Sequence, residues 1–414
     1  MSVPRTDLPR DYNPFDRDHA NNPHAVWEQA RSTCPVMWSD SLNAWVVTDY
    51  RTARSVFADP TTFVNQGATA PVTPPPPPVA EILAEGIPAS EIRPTVTRDG
   101  EDHDRIRRFL VSVLTPRYIA ALEPKIRRLA DRLVDELPAD GRADFVNAFA
   151  YRLPLEVVLD LFGISGASGA QIHEWTTHAM SMFWGTFTLE EHLVAARGYV
   201  DFQRFLAETV QRARTGSGDD VVSRLVNLDI GGDAPLTDGE AVGLLLGLLS
   251  AGHETSMNLI SLTMLQVLRS PSIWQRMIDD PSVIPAVVEE GLRFESPAHS
   301  IWRKAAADAE LGGRTIAAGQ RLSVVVGSAN RDPAVFDHPS EFDPDRAFDS
   351  PHLSFGRGVH FCVGAPLARL EARVAFEVLT QRLPSLRLQP GFTPSYRPNS
   401  VQRFLERLDV EWDG

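Results

Sequence analysis

Between Thr237 and Leu268 the chain commits about thirty residues to a single apolar helix, and few folds have room for one. Thr237-Asp238-Gly239-Glu240 opens it as a capping box, with Thr at the N-cap and Glu three residues on. At 1.5 Å per residue such a helix runs ~45 Å. A helix that long and that apolar has to pass through the centre of the protein. Its middle breaks the pattern with Ala251-Gly252-His253-Glu254-Thr255-Ser256. Glycine inside a helix costs about 0.5–1 kcal/mol relative to alanine, and buried Glu and Thr cost stability as well. A penalty of that kind at the centre of the protein points to chemistry.

Composition narrows the class. The 414 residues are 43% hydrophobic and 23% charged, ordinary for a globular protein with a large core. The longest apolar stretch, Ala241 to Leu249, is about half of the ~20 residues a membrane span needs. The start, Met1-Ser2-Val3-Pro4-Arg5-Thr6-Asp7, has no apolar signal core, which suggests a cytoplasmic protein. The net charge of −14 argues against nucleic acid as a partner. Two cysteines, Cys34 and Cys362, make neither a disulfide framework nor a zinc site, and Cys34 reads as a packed thiol.

Apolar residues three or four apart predict helices over 105–114, 116–137, 155–162, 171–183 and 190–214, with two more in 272–295 and a last one over 363–382. Residues 36–38 and 44–48 read as a hairpin, and 301–305, 314–316 and 321–326 as strands. Residues 65–99, with Pro74 to Pro78, read as a long loop stiffened as polyproline. The expectation is one mainly α domain over 1–414 with a small β-rich region and no fused reductase.

The run Phe355-Gly356-Arg357-Gly358-Val359-His360-Phe361-Cys362-Val363-Gly364 leads straight into the helix start Gly364-Ala365-Pro366-Leu367-Ala368-Arg369. Its glycines let the backbone turn tightly and approach a flat ligand. The helix start offers free N–H groups and a positive dipole end, which favour thiolate over thiol. A thiolate with one open face is what haem iron needs to cleave an O–O bond. A lone cysteine is more often a packed core thiol, so the rest of the chain has to decide. The spacing Phe-x-x-Gly-x-x-x-Cys-x-Gly resembles the haem-binding loop of the cytochrome P-450 family, with every fixed position present.

The resemblance implies the cytochrome P-450 fold, with the long central helix crossing over the haem. Cys362 becomes the axial ligand of haem b, within the loop positions Phe355, Gly356, His360 and Gly364. Glu290 and Arg293 form the family's Glu-x-x-Arg, on one helix face by their spacing, with Arg346 as third partner; this trio is structural. His103 and Arg107, four apart, together with Arg303 and His360, match partners of the two haem propionates. Ala251 and Gly252 leave room for oxygen. Thr255 is implied to position oxygen and a water, and Glu254 to relay protons. The alternative is a Thr255 bonded back to its own helix and a Glu254 reaching solvent.

By position in the family fold, the substrate pocket draws on Trp184, Leu244, Leu248, Ala298, His299, Ile301 and Val401. The implied activity is that of a haem-thiolate monooxygenase acting on O2 and a small organic substrate, a natural-product intermediate or a xenobiotic. Electrons are expected from a separate ferredoxin with its reductase, docking on arginines that include Arg105, Arg108, Arg357 and Arg369, and the protein is expected to be a monomer. An oxidase of the same fold that couples or desaturates its substrate is the alternative. A non-catalytic haem sensor is disfavoured, since it has no need of Glu254 and Thr255 as a proton pair.

Overall fold

The computed structural model describes residues 12–68, 70–71, 74–184 and 188–413, with the side chains of Ser181, Phe183 and Trp184 left aside. Its axis is the helix Asp238–Arg269, 32 residues long. Both halves of the expected capping box are made: the Glu240 N–H donates to Thr237 Oγ1 at 3.2 Å, and the Thr237 N–H to Glu240 Oε2 at 2.9 Å. The helices Arg152–Leu161, Leu189–Thr215, Ile284–Phe294 and Ala365–Arg382 pack around it.

The central helix serves two hydrophobic clusters. Leu244 to Leu249 pack with Ile106, Phe109 and Phe202. Met257 to Leu268 pack with Ile126, Phe149 and Phe376. The polar residues 250–256 fall between the two, so the break in the sequence pattern marks a real gap in the apolar core. Among the described residues, no helix is long and apolar enough to cross a membrane.

One face of this helix explains a feature that sequence pattern alone missed. Gly239, Gly243 and Gly247, four apart, lie under residues 91–94, whose backbone rests directly on the helix. A methyl at Gly243 would sit 2.6 Å from the Ile92 carbonyl carbon and 2.9 Å from the Arg93 nitrogen. Gly243→Ala gains helix propensity of about 1 kcal/mol but forces this segment off the helix, at about 1–3 kcal/mol of overpacking. The variant is therefore expected to be less stable; a urea midpoint at or above that of the unmodified protein counts against the contact.

The principal sheet has five strands in the order Val36–Ser39, Ala44–Val47, Arg321–Val324, Ile301–Ala305, Phe63–Val64. Only the pair Ala44–Val47 with Arg321–Val324 is parallel. Ile301 and Arg303 stand two apart and so share one face of their strand.

Two expectations need correction. The segment 116–137 is two helices, Pro116–Ala120 and Glu123–Asp135, because Pro124 starts the second rather than continuing the first. The polyproline stretch is not loop throughout: Pro77 and Pro78 open the helix Pro77–Leu83, where proline lacks only an N–H that has no helical partner. A further helix, Val221–Asn227, capped by Asp220, follows Leu189–Thr215.

Candidate active site

The cysteine loop turns on Gly356 and Gly358, at φ +65° and +74°, a region that side chains rarely enter. A methyl at Gly358 would also lie 2.8 Å from the Phe57 carbonyl oxygen. The Cys362 N–H donates to the Phe355 carbonyl at 3.0 Å and closes the loop before the helix Ala365–Arg382 begins. Phe355 packs under Arg369, whose guanidinium sits 4.6 Å from the ring centre. Solvent reaches Cys362 on one side, while protein crowds its others. Burial pushes the thiol up, against the N–H groups of Gly364 and Ala365 and the charges of Arg107 and Arg369. The helix-start donors expected from the sequence are in place, but burial outweighs them; a bound metal cation is what deprotonates such a thiol outright.

Beside the loop, His103 and His360 stack with ring centres 4.0 Å apart. His103 Nδ1 lies 3.0 Å from Asp104, and its Nε2 is buried without a hydrogen-bond partner. Arg303 is buried against the Phe57 ring and donates to the Trp302 carbonyl at 2.8 Å. Burial pushes Arg303 down to about 10. Burial, then the charges of His103 and Arg303, hold His360 below the usual imidazole range. Among the described residues no carboxylate forms an ion pair with Arg303. A buried guanidinium without an acid, beside an orphaned imidazole nitrogen, is a donor set that fits an anionic group carrying carboxylates. Arg107 bonds elsewhere, to the Phe361 carbonyl at 2.8 Å, and so braces the cysteine loop.

On the central helix, Gly247, Leu248, Ala251, Gly252 and Thr255 are solvent-reachable while their neighbours are buried. The spacing puts them on one face, and the solvent-reachable space beside it is the cleft. Val363 and Leu367 pack on the cluster that holds Leu248, joining the cysteine end to this face. The Thr255 hydroxyl donates to the Ala251 carbonyl at 2.7 Å, the back-bond that the sequence left as an alternative. Glu254 does not reach solvent. It is buried, with Thr177 Oγ1 and Gln402 Nε2 at 3.4 and 3.5 Å from its carboxyl oxygens. Burial pushes it up to about 7. His253 is turned to the Leu249 carbonyl at 2.8 Å, and burial holds it down to about 4. Thr177 and Gln402 carried no signal in the sequence: one lies in an ordinary amphipathic helix, the other in a C-terminal turn.

Glu290 and Arg293 are fully buried and bonded twice, at 2.7 and 2.8 Å. Every guanidinium N–H of Arg293 is used, the others on the carbonyls of Asn330, Pro339 and Glu341 at 3.0 Å. Glu290 also accepts the Asp343 N–H at 2.8 Å and Arg346 Nε at 3.4 Å. The pair thereby fastens the irregular chain 330–346 that leads to the cysteine loop.

Comparison with known proteins agrees. A family model, Cytochrome P450, matches residues 201–395. The 6-deoxyerythronolide B hydroxylase of Saccharopolyspora erythraea is 32% identical over 396 residues, 94% of this chain and 96% of that protein. The chain belongs to the cytochrome P450 family. The mycinamicin IV hydroxylase/epoxidase of Micromonospora griseorubida is 35% identical over 354 residues, 83% of each chain. The structure of cytochrome P450 CREJ in complex with (4-ethylphenyl) dihydrogen phosphate superposes with a TM-score of 0.92 at 34% identity, covering 97% of this chain and 99% of that one. P450 proteins are monooxygenases that bind haem b through a cysteine thiolate and act on O2 and a small molecule with electrons from redox partners.

The P450 pocket residues divide. Leu248, Ala298, Ile301 and Val401 are partly open. Ile301 also reaches toward the cysteine loop: a methyl on Gly356 would lie 3.5 Å from its Cδ1. Trp184 ends the helix Gly169–Trp184, and its side chain lies outside the described residues. Two expectations fail. Leu244 is buried in the helix cluster with Ile92 rather than lining the cleft. His299 packs edge-on against Trp27, 5.7 Å between ring centres, and burial holds it down to about 3; it belongs to the N-terminal layer. The arginines expected to dock an electron donor also divide. Arg108 is bonded twice to Asp233 at 2.6 and 2.7 Å, Arg105 to Glu240, and Arg369 to Glu289. These charges are compensated locally, whereas Arg357 has no ion pair among the described residues.

Proposed function

We propose that this P450 inserts one oxygen atom into a small organic molecule, by hydroxylation or epoxidation, with electrons from a separate ferredoxin and its reductase. A natural-product intermediate is the favoured substrate class, since two of the similar proteins are named as hydroxylases of such molecules. Haem b, when bound, supplies the activation of O2. His103, His360 and Arg303 are the groups suited to its carboxylates, and Cys362 to its iron.

The observation that carries the reading is Glu254. A carboxyl on the central helix, one residue from the cleft face and poised near neutral pH, is matched to giving and regaining a proton at pH 7. Thr177 and Gln402 touch the carboxyl only at long hydrogen-bond distance, 3.4 and 3.5 Å. The Thr255 hydroxyl spends its proton on the Ala251 carbonyl, which leaves its oxygen lone pairs to accept a hydrogen bond from the cleft.

Glu254→Gln is expected to lower product formed per electron pair by about 10²-fold and to divert O2 to peroxide; unchanged coupling contradicts the relay. Stability gives a second readout. Glu254 titrates near 4.5 when unfolded and near 7 when folded, so the native state binds the extra proton between these values. The unmodified protein therefore loses stability relative to the variant as pH rises from about 4.5 to about 7, by about 1.4 kcal/mol per pH unit at most. A gap in urea midpoints that stays flat over this range places Glu254 in an ordinary polar setting. Product mass separates oxygen insertion from coupling or desaturation.

Arg357→Glu tests the electron donor. Reduction by a ferredoxin is expected to slow at low salt, with the difference shrinking as salt is added; equal rates at all ionic strengths remove Arg357 from the docking face.

A further inference from the structure

Beside the cleft, three ligating side chains meet between the helix Gly169–Trp184 and the central helix. Ring nitrogens of His173 and His253 and a carboxyl oxygen of Glu254 lie within 4.8 Å of one another. The Leu249 carbonyl, 2.8 Å from His253 Nδ1, can only accept, so that nitrogen carries the proton and Nε2 presents a lone pair. The nearest hydroxyl to Nε2, that of Thr176 at 3.4 Å, has a better acceptor in the His173 carbonyl at 3.0 Å. His173 Nδ1 is buried without a hydrogen-bond partner. Its ring stands 4.3 Å from Tyr151 and 5.8 Å from His253. Among the described residues, the Glu254 oxygens make only the two long hydrogen bonds to Thr177 and Gln402. An imidazole fixed through one nitrogen on a backbone carbonyl, with the other free, is the arrangement that orients histidine for a metal.

We propose that His173, His253 and Glu254 form a binding site for a divalent transition-metal ion, zinc being the best match. Two imidazoles and a carboxylate are a zinc ligand set that leaves the fourth position to water. Bonds of about 2.0–2.1 Å place tetrahedral ligand atoms about 3.3 Å apart. The three must therefore close inward, and His173 is the one member that is not fully buried. One carboxylate does not neutralise a divalent ion, and the charge of Arg397, which is felt at both His173 and Glu254, adds to the excess. Binding is accordingly weaker than at a structural zinc site, and Arg397→Ala tightens it. A bound ion holds Glu254 ionised and fixed, which stops proton delivery. That consequence rests on the relay proposed above; the site itself does not.

The test uses the haem-loaded protein at equilibrium with zinc chloride across a dialysis membrane, with bound zinc taken as the excess on the protein side and zinc and iron measured by atomic emission. One zinc per iron is expected, falling to background in His173→Ala and unchanged in His338→Ala, a control at an exposed histidine. The carbon monoxide spectrum of each variant establishes that it is folded. His173→Gln, which keeps the bulk of the side chain, should lose zinc equally. Zinc should also raise the melting temperature of the unmodified protein but not of His173→Ala. Zinc binding in His173→Ala equal to that of the unmodified protein, or no zinc in either, overturns the site.

Discussion

Arg293→Ala is expected to destabilise the protein by about 3–5 kcal/mol and to strip it of haem. The loss has two parts. Glu290 is left as a buried charge without its bidentate partner, although Arg346 at 3.4 Å offers some compensation. The carbonyls of Asn330, Pro339 and Glu341 each lose a charged donor where water does not replace it. Lysine should not rescue, because its ammonium cannot reproduce the planar fork that serves four partners at once. A double change to apolar residues, Glu290→Leu with Arg293→Met, should recover the part due to the stranded charge, but neither the part due to the carbonyls nor the bonds that Glu290 accepts from Asp343 and Arg346. The urea midpoint and the haem content after gel filtration read the two effects separately. Arg293→Lys with unchanged haem retention would falsify the claim that carbonyl bonding, rather than charge alone, positions the loop.

The second large effect concerns the sulfur. Cys362→Ser is expected to abolish the strongly red-shifted band of the reduced protein with carbon monoxide, and with it monooxygenase activity. Serine matches the size of cysteine, so the loop should close as before through the Phe355 carbonyl. The difference is chemical. A bound metal cation deprotonates a thiol outright, and Gly364, Ala365, Arg107 and Arg369 assist it against the larger effect of burial. A serine hydroxyl is far harder to ionise and gives iron no comparable electron donor. A red-shifted band that survives the change would remove Cys362 as the ligand.

Where the sequence was readable, its signal was local and costly to fake. The long helix announced itself because a capping box and a largely apolar stretch of about thirty residues admit one conformation, and its polar interruption fell at the gap between the two core clusters. The cysteine loop was readable because its glycines stand at positive φ. The failures share a different cause. His299 and Leu244 were placed by their position along the chain, and position does not say which way a side chain turns. Residues 295–300 are irregular, so the alternation that makes Ile301 and Arg303 share a face does not extend back to His299. Arg105 and Arg108 looked free because Glu240 and Asp233 lie more than a hundred residues away. The glycines at 239, 243 and 247 looked like poor helix formers; their purpose shows only when residues 91–94 arrive.

The way Arg293 grips its neighbours has a consequence for how this protein can change. Three of its partners are main-chain oxygens, which any amino acid supplies. The latch thus reads the path of the chain, not its spelling. Substitutions at Pro339 or Glu341 that keep the local turn should leave the iron side undisturbed, while no single alternative serves at position 293. The region around the cysteine loop is permissive in letters and strict in shape, so a designer can rewrite its outer surface without reopening the question of where the sulfur points.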